Sequence, residues 1–182
     1  MQRPRLNRKL LIGKILIHPT ESCFGIGCHP KKIKSLKKIL LLKQRAKNKS
    51  FLLISNDAQK FKQYINNDYY KSNSFKNWKP HTSLLFKKKF IPKNFLLAPK
   101  QMKIGCRIPD HKKIKSILKN FMFPITSTSA NLSGKKNLKM WRDCCRLFHS
   151  NSCIIIKDQI GNYSKPSQII DKHAFTINKD ML

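Results

Sequence analysis

Residues 125–134 read Ile125-Thr-Ser-Thr-Ser-Ala-Asn-Leu-Ser-Gly134 and form the densest hydroxyl cluster in the chain. An apolar strand that ends in polar residues is typical of the ligand-binding edge of an open α/β sheet. Hydroxyls and backbone amides in such a turn can hold an anion. We therefore expect a strand near Ile125 and a binding loop directly after it.

The rest of the chain alternates short apolar runs with helical patterns, which predicts an α/β fold. No linker long enough to separate two domains interrupts this alternation, and residues 66–77 are predicted to form a surface helix or loop. Asp57 is a plausible cap for the second helix. The predicted helices span residues 30–43, 58–65, 111–120 and 138–148, and the other predicted strands span 14–18, 51–54, 84–86, 104–108, 153–156, 169–170 and 174–177.

The composition describes a basic, globular chain. Its 182 residues contain 39 Lys and Arg against 8 Asp and Glu, a formal net charge of +31, and 40% of the residues are hydrophobic, which excludes a disordered basic tail. The lysines spread from Lys9 to Lys179 among many Asn and Ile, as drift in an AT-rich genome would produce, so charge alone identifies no partner. No apolar run approaches the roughly 20 residues of a membrane span. The six cysteines are expected to be reduced in a cytoplasmic protein.

Two further polar segments follow predicted elements. The first is His18-Pro-Thr-Glu-Ser-Cys-Phe-Gly-Ile-Gly-Cys28, where a strand runs into a hydroxyl-rich turn and then into glycines that permit close backbone approach. The second is Lys43-Gln-Arg45, at the end of the helix over 30–43. Two cations one residue apart do not share a helix face, so they bind one anion together only where the helix ends and turns. Alternatively, they interact with the dipole at the helix C-terminus.

Together with residues 127–134, these segments resemble the ordered motifs of the YrdC/TsaC family, in its short, single-domain bacterial form. The resemblance extends from about residue 15 to residue 171. It rests on Pro19-Thr20-Glu21, Phe24-Gly25-Ile26-Gly27, Lys43-Gln44-Arg45, Cys106-Arg107-Ile108-Pro109-Asp110-His111, Ser127-Thr-Ser-Ala-Asn-Leu-Ser-Gly134, and Pro166-Ser167 with Ile169-Ile170-Asp171. It implies one α/β domain over residues 1–182, a twisted open mixed sheet with flanking helices around a basic cavity.

The resemblance also implies an activity, that of an L-threonylcarbamoyladenylate synthase. Such an enzyme is a nucleotidyltransferase that forms threonylcarbamoyl-AMP and pyrophosphate from L-threonine, bicarbonate and ATP. A separate transferase complex then passes the threonylcarbamoyl group to tRNA. ATP is a substrate, and Mg²⁺ is expected on its triphosphate, held mainly by phosphate oxygens and water because acidic residues are scarce. No resident metal is expected.

Site residues follow from the resemblance, position by position. Lys43 and Arg45 match the catalytic K-x-R motif and would neutralise the triphosphate. Arg107 matches an arginine suited to grip a carboxylate or carbamate with two hydrogen bonds. The further ATP-binding residues implied are Lys49, Ser129 and Asn131, and the further threonine- or carbamate-binding residues are Thr20, Ser22, Ser127 and Ser167.

The chain departs from the family pattern at several positions. Where relatives commonly carry W-P-G-P-x-T, it has Trp78-Lys-Pro-His-Thr-Ser83, and Lys49 and Ile54 replace the common Asn and His. Most of a leading N-terminal helix is expected to be missing. Two alternatives therefore remain open: a module that binds double-stranded RNA or tRNA through phosphate contacts, and a catalytically decayed relative.

Overall fold

A computed structural model describes residues 3–67, 78–89 and 103–171, and eight strands within these ranges form one mixed sheet. The strands are β1 (Ile15–Pro19), β2 (Phe24–Gly27), β3 (Leu52–Ile54), β4 (Thr82–Lys87), β5 (Lys103–Arg107), β6 (Ile125–Ser129), β7 (Cys153–Ile155) and β8 (Gln168–Asp171). Their order in the sheet is β7-β1-β2-β6-β3-β5-β4-β8. The pairs β1–β7, β3–β5 and β4–β8 are parallel and the other neighbours antiparallel, which confirms the predicted mixed α/β sheet.

Helices cover both faces of this sheet. The helices are α1 (Arg3–Leu11), α2 (Ile33–Leu42), α3 (Lys112–Lys119) and α4 (Trp141–Leu147), with a 3-10 turn over Ala58–Phe61. On β1, Ile15 and Ile17 join the apolar cluster under α2 and α4, whereas Leu16 joins the cluster under α1 and α3. Both faces are therefore buried, and polar side chains concentrate where strands end. No helix in the described ranges is long and apolar enough to cross a membrane.

The prediction for the N-terminus is wrong, because α1 occupies Arg3–Leu11. Its sequence is dominated by basic residues, but Leu6 and Leu10 recur four residues apart and pack in the core cluster beneath the helix. This spacing anchors one face of the helix, and the cations occupy the remaining face. The leading helix is thus present in this chain.

The residues between Cys23 and Cys28, which follow the hydroxyl-rich turn, form a strand that the sequence did not predict. β2 pairs with β1 on one side and with β6 on the other. A Cβ atom on Gly27 would lie 1.6 Å from the backbone oxygen of Thr126, so glycine is required for this pairing. The expectation of a close backbone approach is confirmed.

The helix predicted over 58–65 is shorter than expected. It is the 3-10 turn Ala58–Phe61, and the Asp57 carboxylate accepts a hydrogen bond from Gln59 N at 2.9 Å, which confirms the predicted cap. All six cysteines are free thiols, as expected. The strand predicted over 174–177 and most of the stretch 66–77 lie outside the described residues.

Candidate functional site

The end of α2 provides the turn that the Lys43-Gln-Arg45 segment requires. Gln44 has a left-handed backbone conformation with φ 49°. Its N–H donates to Leu41 O at 3.0 Å and the N–H of Arg45 donates to Leu40 O at 2.8 Å, the hydrogen-bond pattern of a Schellman motif. The helix therefore stops here and the chain reverses, which is the condition for both cations to serve one site.

Lys43 is almost completely buried, with 1% of its surface exposed. Its ammonium donates to the backbone oxygens of Ser129 and Asn131, the latter at 2.5 Å, and to Asn131 Oδ1 at 3.3 Å. In return, Ser133 N donates to Lys43 O at 2.8 Å. Burial lowers the pKa of Lys43 to about 8, and the nearby charges of Arg45 and Lys49 add to this effect. Lys43 thus links α2 to the loop that follows β6. The three oxygens that accept hydrogen bonds from its ammonium are all uncharged.

Arg45 lies half-buried beside this loop. Its Nη2 donates to Ser50 O at 2.8 Å, and its guanidinium carbon lies 5.9 Å from the centre of the Phe51 ring. Its Nε is buried without a hydrogen-bond partner. Burial lowers the pKa of Arg45. Lys49 is exposed on the following turn.

Hydrogen bonds within the loop after β6 fix its shape. Ser129 Oγ donates to Asn131 Oδ1 at 2.6 Å. Asn131 Nδ2 donates to Leu132 O at 2.8 Å and to Lys135 O at 2.6 Å. The Asn131 amide therefore holds the loop together, and a direct contact of this side chain with nucleotide stays a prediction.

Arg107, at the end of β5, forms a buried ion pair that the sequence analysis did not anticipate. Its Nη2 lies 2.5 Å from Glu21 Oε2, with 9% and 2% of the two side chains exposed. The other carboxylate oxygen of Glu21 accepts a hydrogen bond from Asp110 N at 2.6 Å. Burial alone raises the pKa of Glu21, but the Arg107 guanidinium and the Asp110 N–H outweigh it, so the pKa lies below its ordinary value. Arg107 Nε is buried without a hydrogen-bond partner.

His81, within the altered Trp78–Ser83 segment, also contacts Arg107. Its Nδ1 lies 3.3 Å from Arg107 Nη2, and its Nε2 lies 2.8 Å from Lys165 O. Its ring stacks on Tyr163 with centroids 4.1 Å apart and an angle of 16° between the rings. The altered segment thus places an imidazole directly against the predicted carboxylate-binding arginine.

The turn between β1 and β2 connects the Lys43 and Arg107 sides of the site. Gly25, just after this turn, lies opposite Ser129 of β6, whose backbone oxygen accepts a hydrogen bond from Lys43. Glu21, within the turn, pairs with Arg107. The two sides therefore meet at this turn.

Strand β6 carries two of the predicted hydroxyls. Ser127 and Ser129 lie two residues apart, so their side chains share a face about 7 Å apart. Ser127 Oγ lies 3.4 Å from His18 Nε2.

His18 is a further site residue that the sequence analysis did not select. It is fully buried, and burial lowers the pKa of His18 to about 4, so its ring is neutral at pH 7. A Cβ atom on Gly25 would lie 2.6 Å from the ring, so this glycine makes room for it. A histidine at the end of an apolar strand, directly before Pro19-Thr20-Glu21, was the available signal.

The remaining predicted hydroxyls make contacts within the protein. Thr20 Oγ1 donates to Cys23 O at 2.7 Å, within the turn between β1 and β2. Ser22 is buried in that turn. Ser167 Oγ lies 2.9 Å from Ser83 Oγ of β4, a partner that was not predicted. Binding of threonine by these hydroxyls stays a prediction.

A cavity of about 580 Å³ lies elsewhere, between α1 and α3 beside β7. Its lining includes the cations Arg5, Lys9, Lys113 and Lys157 but none of the predicted site residues. The basic cavity expected at the site itself stays a prediction. Within the part of the chain that the structure describes, no group of three or more His, Cys, Asp or Glu side chains could hold a metal ion.

Comparisons with known proteins agree with the predicted family and fold. The Sua5/YciO/YrdC family model, described as "Telomere recombination", matches residues 8–179. A protein of Photobacterium profundum named threonylcarbamoyl-AMP synthase is 32% identical over 170 residues, which cover 91% of each chain. The crystal structure of P. abyssi Sua5 complexed with L-threonine matches with a TM-score of 0.79 and 19% identity, over 93% of this chain and 50% of that chain. The structure of E. coli YciO matches with a TM-score of 0.71 and 23% identity, over 93% of this chain and 84% of that chain.

Proposed function

The chain belongs to the Sua5/YciO/YrdC family, and on this basis we propose that it is a threonylcarbamoyl-AMP synthase. The reaction joins L-threonine, bicarbonate and ATP to give threonylcarbamoyl-AMP and pyrophosphate, so the enzyme is a nucleotidyltransferase acting through residues 1–182 as one domain. The observation that carries the proposal is a pair of unlike cationic regions that meet at the turn between β1 and β2. Lys43 and Arg45 contact neutral oxygens, whereas Arg107 contacts the carboxylate of Glu21.

The Lys43 region suits the triphosphate of ATP. Lys43 and Arg45 bring two positive charges to one turn without a carboxylate among their described contacts. Lys43 would act mainly through its charge and through the loop that it holds, since three oxygens already accept hydrogen bonds from its ammonium. Arg45, with an unpartnered Nε, would contact phosphate directly, and Lys49, Ser129 and Asn131 would complete the nucleotide site.

The Arg107 region suits threonine, which carries both a carboxylate and an amine. Arg107 uses Nη2 for Glu21 and His81, so its unpartnered Nε is available to a carboxylate or carbamate. A nearby neutral imidazole and several hydroxyls would accommodate the polar remainder of the substrate. These groups are His18, Thr20, Ser22, Ser127 and Ser167.

The reaction then needs positioning and charge stabilisation. The threonine amine condenses with bicarbonate to a carbamate, with loss of water, and a carbamate oxygen attacks the α-phosphate in line and expels pyrophosphate. Reactions of this class gain most of their rate from alignment and from fixed charges around the phosphoryl group. Mg²⁺ would arrive with ATP as part of the substrate, held by phosphate oxygens and water.

The product would pass to a separate transferase complex that modifies tRNA, and we place the reaction in the cytoplasm, where ATP and tRNA are available. Neither alternative from the sequence is favoured. An RNA-binding module has no need for a buried Glu21–Arg107 pair, and a decayed relative would not be expected to retain the turn that places Lys43 and Arg45.

The direct test is pyrophosphate release by the purified chain of 182 residues. Release should require ATP, threonine and bicarbonate together, and Arg45→Ala should lower kcat/KM about 100-fold, the order of magnitude by which removal of one preorganised stabilising group at a reaction centre slows catalysis. Lys47→Ala serves as a matched control, because Lys47 is an exposed cation two residues further along the chain. A wild-type chain that releases no more pyrophosphate than Lys43→Ala/Arg45→Ala would contradict the proposed function.

A further inference from the structure

Residues 159–167, here called the strap, run across the Arg107 side of the site. Two alternate residues of the strap donate backbone hydrogen bonds to the turn between β1 and β2. Gly161 N donates to Thr20 O at 3.0 Å, and Tyr163 N donates to Glu21 O at 3.1 Å. A Cβ atom on Gly161 would lie 2.9 Å from Glu21 O, so the strap lies directly on the residue that pairs with Arg107.

The remaining contacts of the strap come from side chains on other elements. His111 Nε2 lies 3.0 Å from Gln159 O. His81 Nε2 lies 2.8 Å from Lys165 O, and Ser83 Oγ lies 2.9 Å from Ser167 Oγ. Among these groups, His81 is the one that also reaches Arg107, so it joins the strap to the guanidinium.

The two contacts of His81 require one form of its ring. Lys165 O is only an acceptor, so Nε2 must carry a proton and donate it. Arg107 is only a donor, so Nδ1 must be unprotonated and accept. The neutral Nε2–H tautomer is the form that satisfies both, and the stacking on Tyr163 fixes the plane of the ring.

The backbone of His81 has φ 55°, a left-handed conformation that costs a side-chain-bearing residue free energy. The neighbouring contacts compensate for this cost, because they hold the imidazole where it meets both Arg107 and the strap. Strained residues held by their surroundings concentrate at functional sites.

We propose that His81 is a positioning residue, which fixes the Arg107 guanidinium beneath the strap and thereby sets the affinity of the site for the carboxylate of threonine. The inference rests on the proposed function. It concerns a position where this chain departs from the W-P-G-P-x-T pattern, so it describes a feature of this chain rather than of its relatives.

Three variants distinguish the contact of His81 with Arg107 from its contact with Lys165 O. His81→Gly removes both, and glycine adopts a positive φ without strain. His81→Asn places an amide oxygen where Nδ1 stands, so it retains the acceptor for Arg107, and asparagine tolerates this backbone conformation. His81→Gln places its amide nitrogen near Nε2, so it retains the donor to Lys165 O but not the acceptor for Arg107.

The measurements are KM for threonine and for ATP in the pyrophosphate assay, with threonine binding by calorimetry as a readout independent of turnover. His81→Gly should raise the threonine KM and Kd about tenfold or more and change the ATP KM less than twofold, and His81→Asn should recover more of the threonine affinity than His81→Gln. The exposed His149→Asn is the matched control and should leave all three constants unchanged.

Several outcomes would overturn the role of His81. These are an unchanged threonine KM in His81→Gly, equal increases in the threonine and ATP KM, or no recovery in His81→Asn. Failure of the proposed function gives a different result, because the wild-type chain would then release no pyrophosphate. Circular dichroism and thermal unfolding of each variant establish that a change in affinity is measured on folded protein.

Discussion

The Lys43 and Arg107 sides of the site differ in how their cations are compensated. On one side, the contacts of Lys43 and Arg45 are neutral oxygens and an aromatic ring. On the other, Arg107 is paired with Glu21 and also contacts a neutral imidazole. The first side has excess positive charge, and the second is close to neutral before any ligand binds.

This difference indicates which ligand each side fits. A highly charged anion such as a triphosphate binds most favourably where the cations have no carboxylate partner, because it then does not have to displace one. An amino acid with one carboxylate and one amine suits a paired cation and anion. The distribution of charge thus distinguishes two substrates that the overall charge of +31 could not.

The largest expected effect is a loss of stability when the ion pair between Glu21 and Arg107 is broken. Glu21→Gln leaves the Arg107 guanidinium buried without an opposite charge, and loss of one partner of a buried pair costs about 3–5 kcal/mol. Urea unfolding at pH 7 measures this loss. The matched control is Asp158→Asn, which removes an exposed pair with Lys113 at 3.8 Å and should cost less than about 1 kcal/mol. Equal losses in the two variants would show that Glu21 does not compensate Arg107.

On the Lys43 side, the free energy of unfolding should depend on pH. The pKa of Lys43 is lowered to about 8 in the folded state from an ordinary 10.5, so unfolding takes up a proton between these values and stability rises with pH across the window. The expected gain from Lys43 between pH 8 and pH 10 is about 2 kcal/mol. Glu21 has a dependence of the same sign at acidic pH: its pKa is also lowered, so its contribution to stability is present above the ordinary carboxyl pKa and is lost as pH falls.

Urea unfolding of the wild type and Lys43→Met at pH 8, 9 and 10 isolates the contribution of Lys43, because both chains share every other titrating group. The difference in stability between them should change by about 2 kcal/mol over this range. A constant difference would mean that the three oxygens around the ammonium fully offset its burial, and the contrast between the two sides would then be smaller than the contacts indicate.

Local sequence patterns predicted the elements whose signals are local. The strand at Ile15–Pro19, the Asp57 cap and the strand near Ile125 were all visible as apolar runs or polar boundaries. β2 was missed because two of its four residues, Phe24–Gly27, are glycines, which are poor strand formers. Its pairing with β6 comes from tertiary contact, which overrides strand propensity.

The part of the site that could be predicted consists of residues close together in the sequence, such as Lys43-Gln-Arg45. The contacts that set its charge balance join residues far apart in the chain: Glu21 with Arg107, and His81 with Arg107 and Lys165. No local pattern indicates such pairs, because their residues meet only after the sheet has formed. The role proposed for His81 could not be predicted from the sequence, because the Trp78–Ser83 segment departs from the W-P-G-P-x-T pattern at this position.

The smallest expected effect tests the turn that separates the two cations of the uncompensated side. Gln44 has φ 49° at the position after a helix where glycine is preferred, so Gln44→Gly should stabilise the chain by about 1 kcal/mol in urea unfolding, whereas Gln44→Val should destabilise it. Pyrophosphate release should remain at the wild-type level in Gln44→Gly, since the hydrogen bonds that place Arg45 come from the backbone. A gain in stability accompanied by slower release would show that the site needs a rigid turn at this point, and that the strain at Gln44 maintains the separation between Lys43 and Arg45.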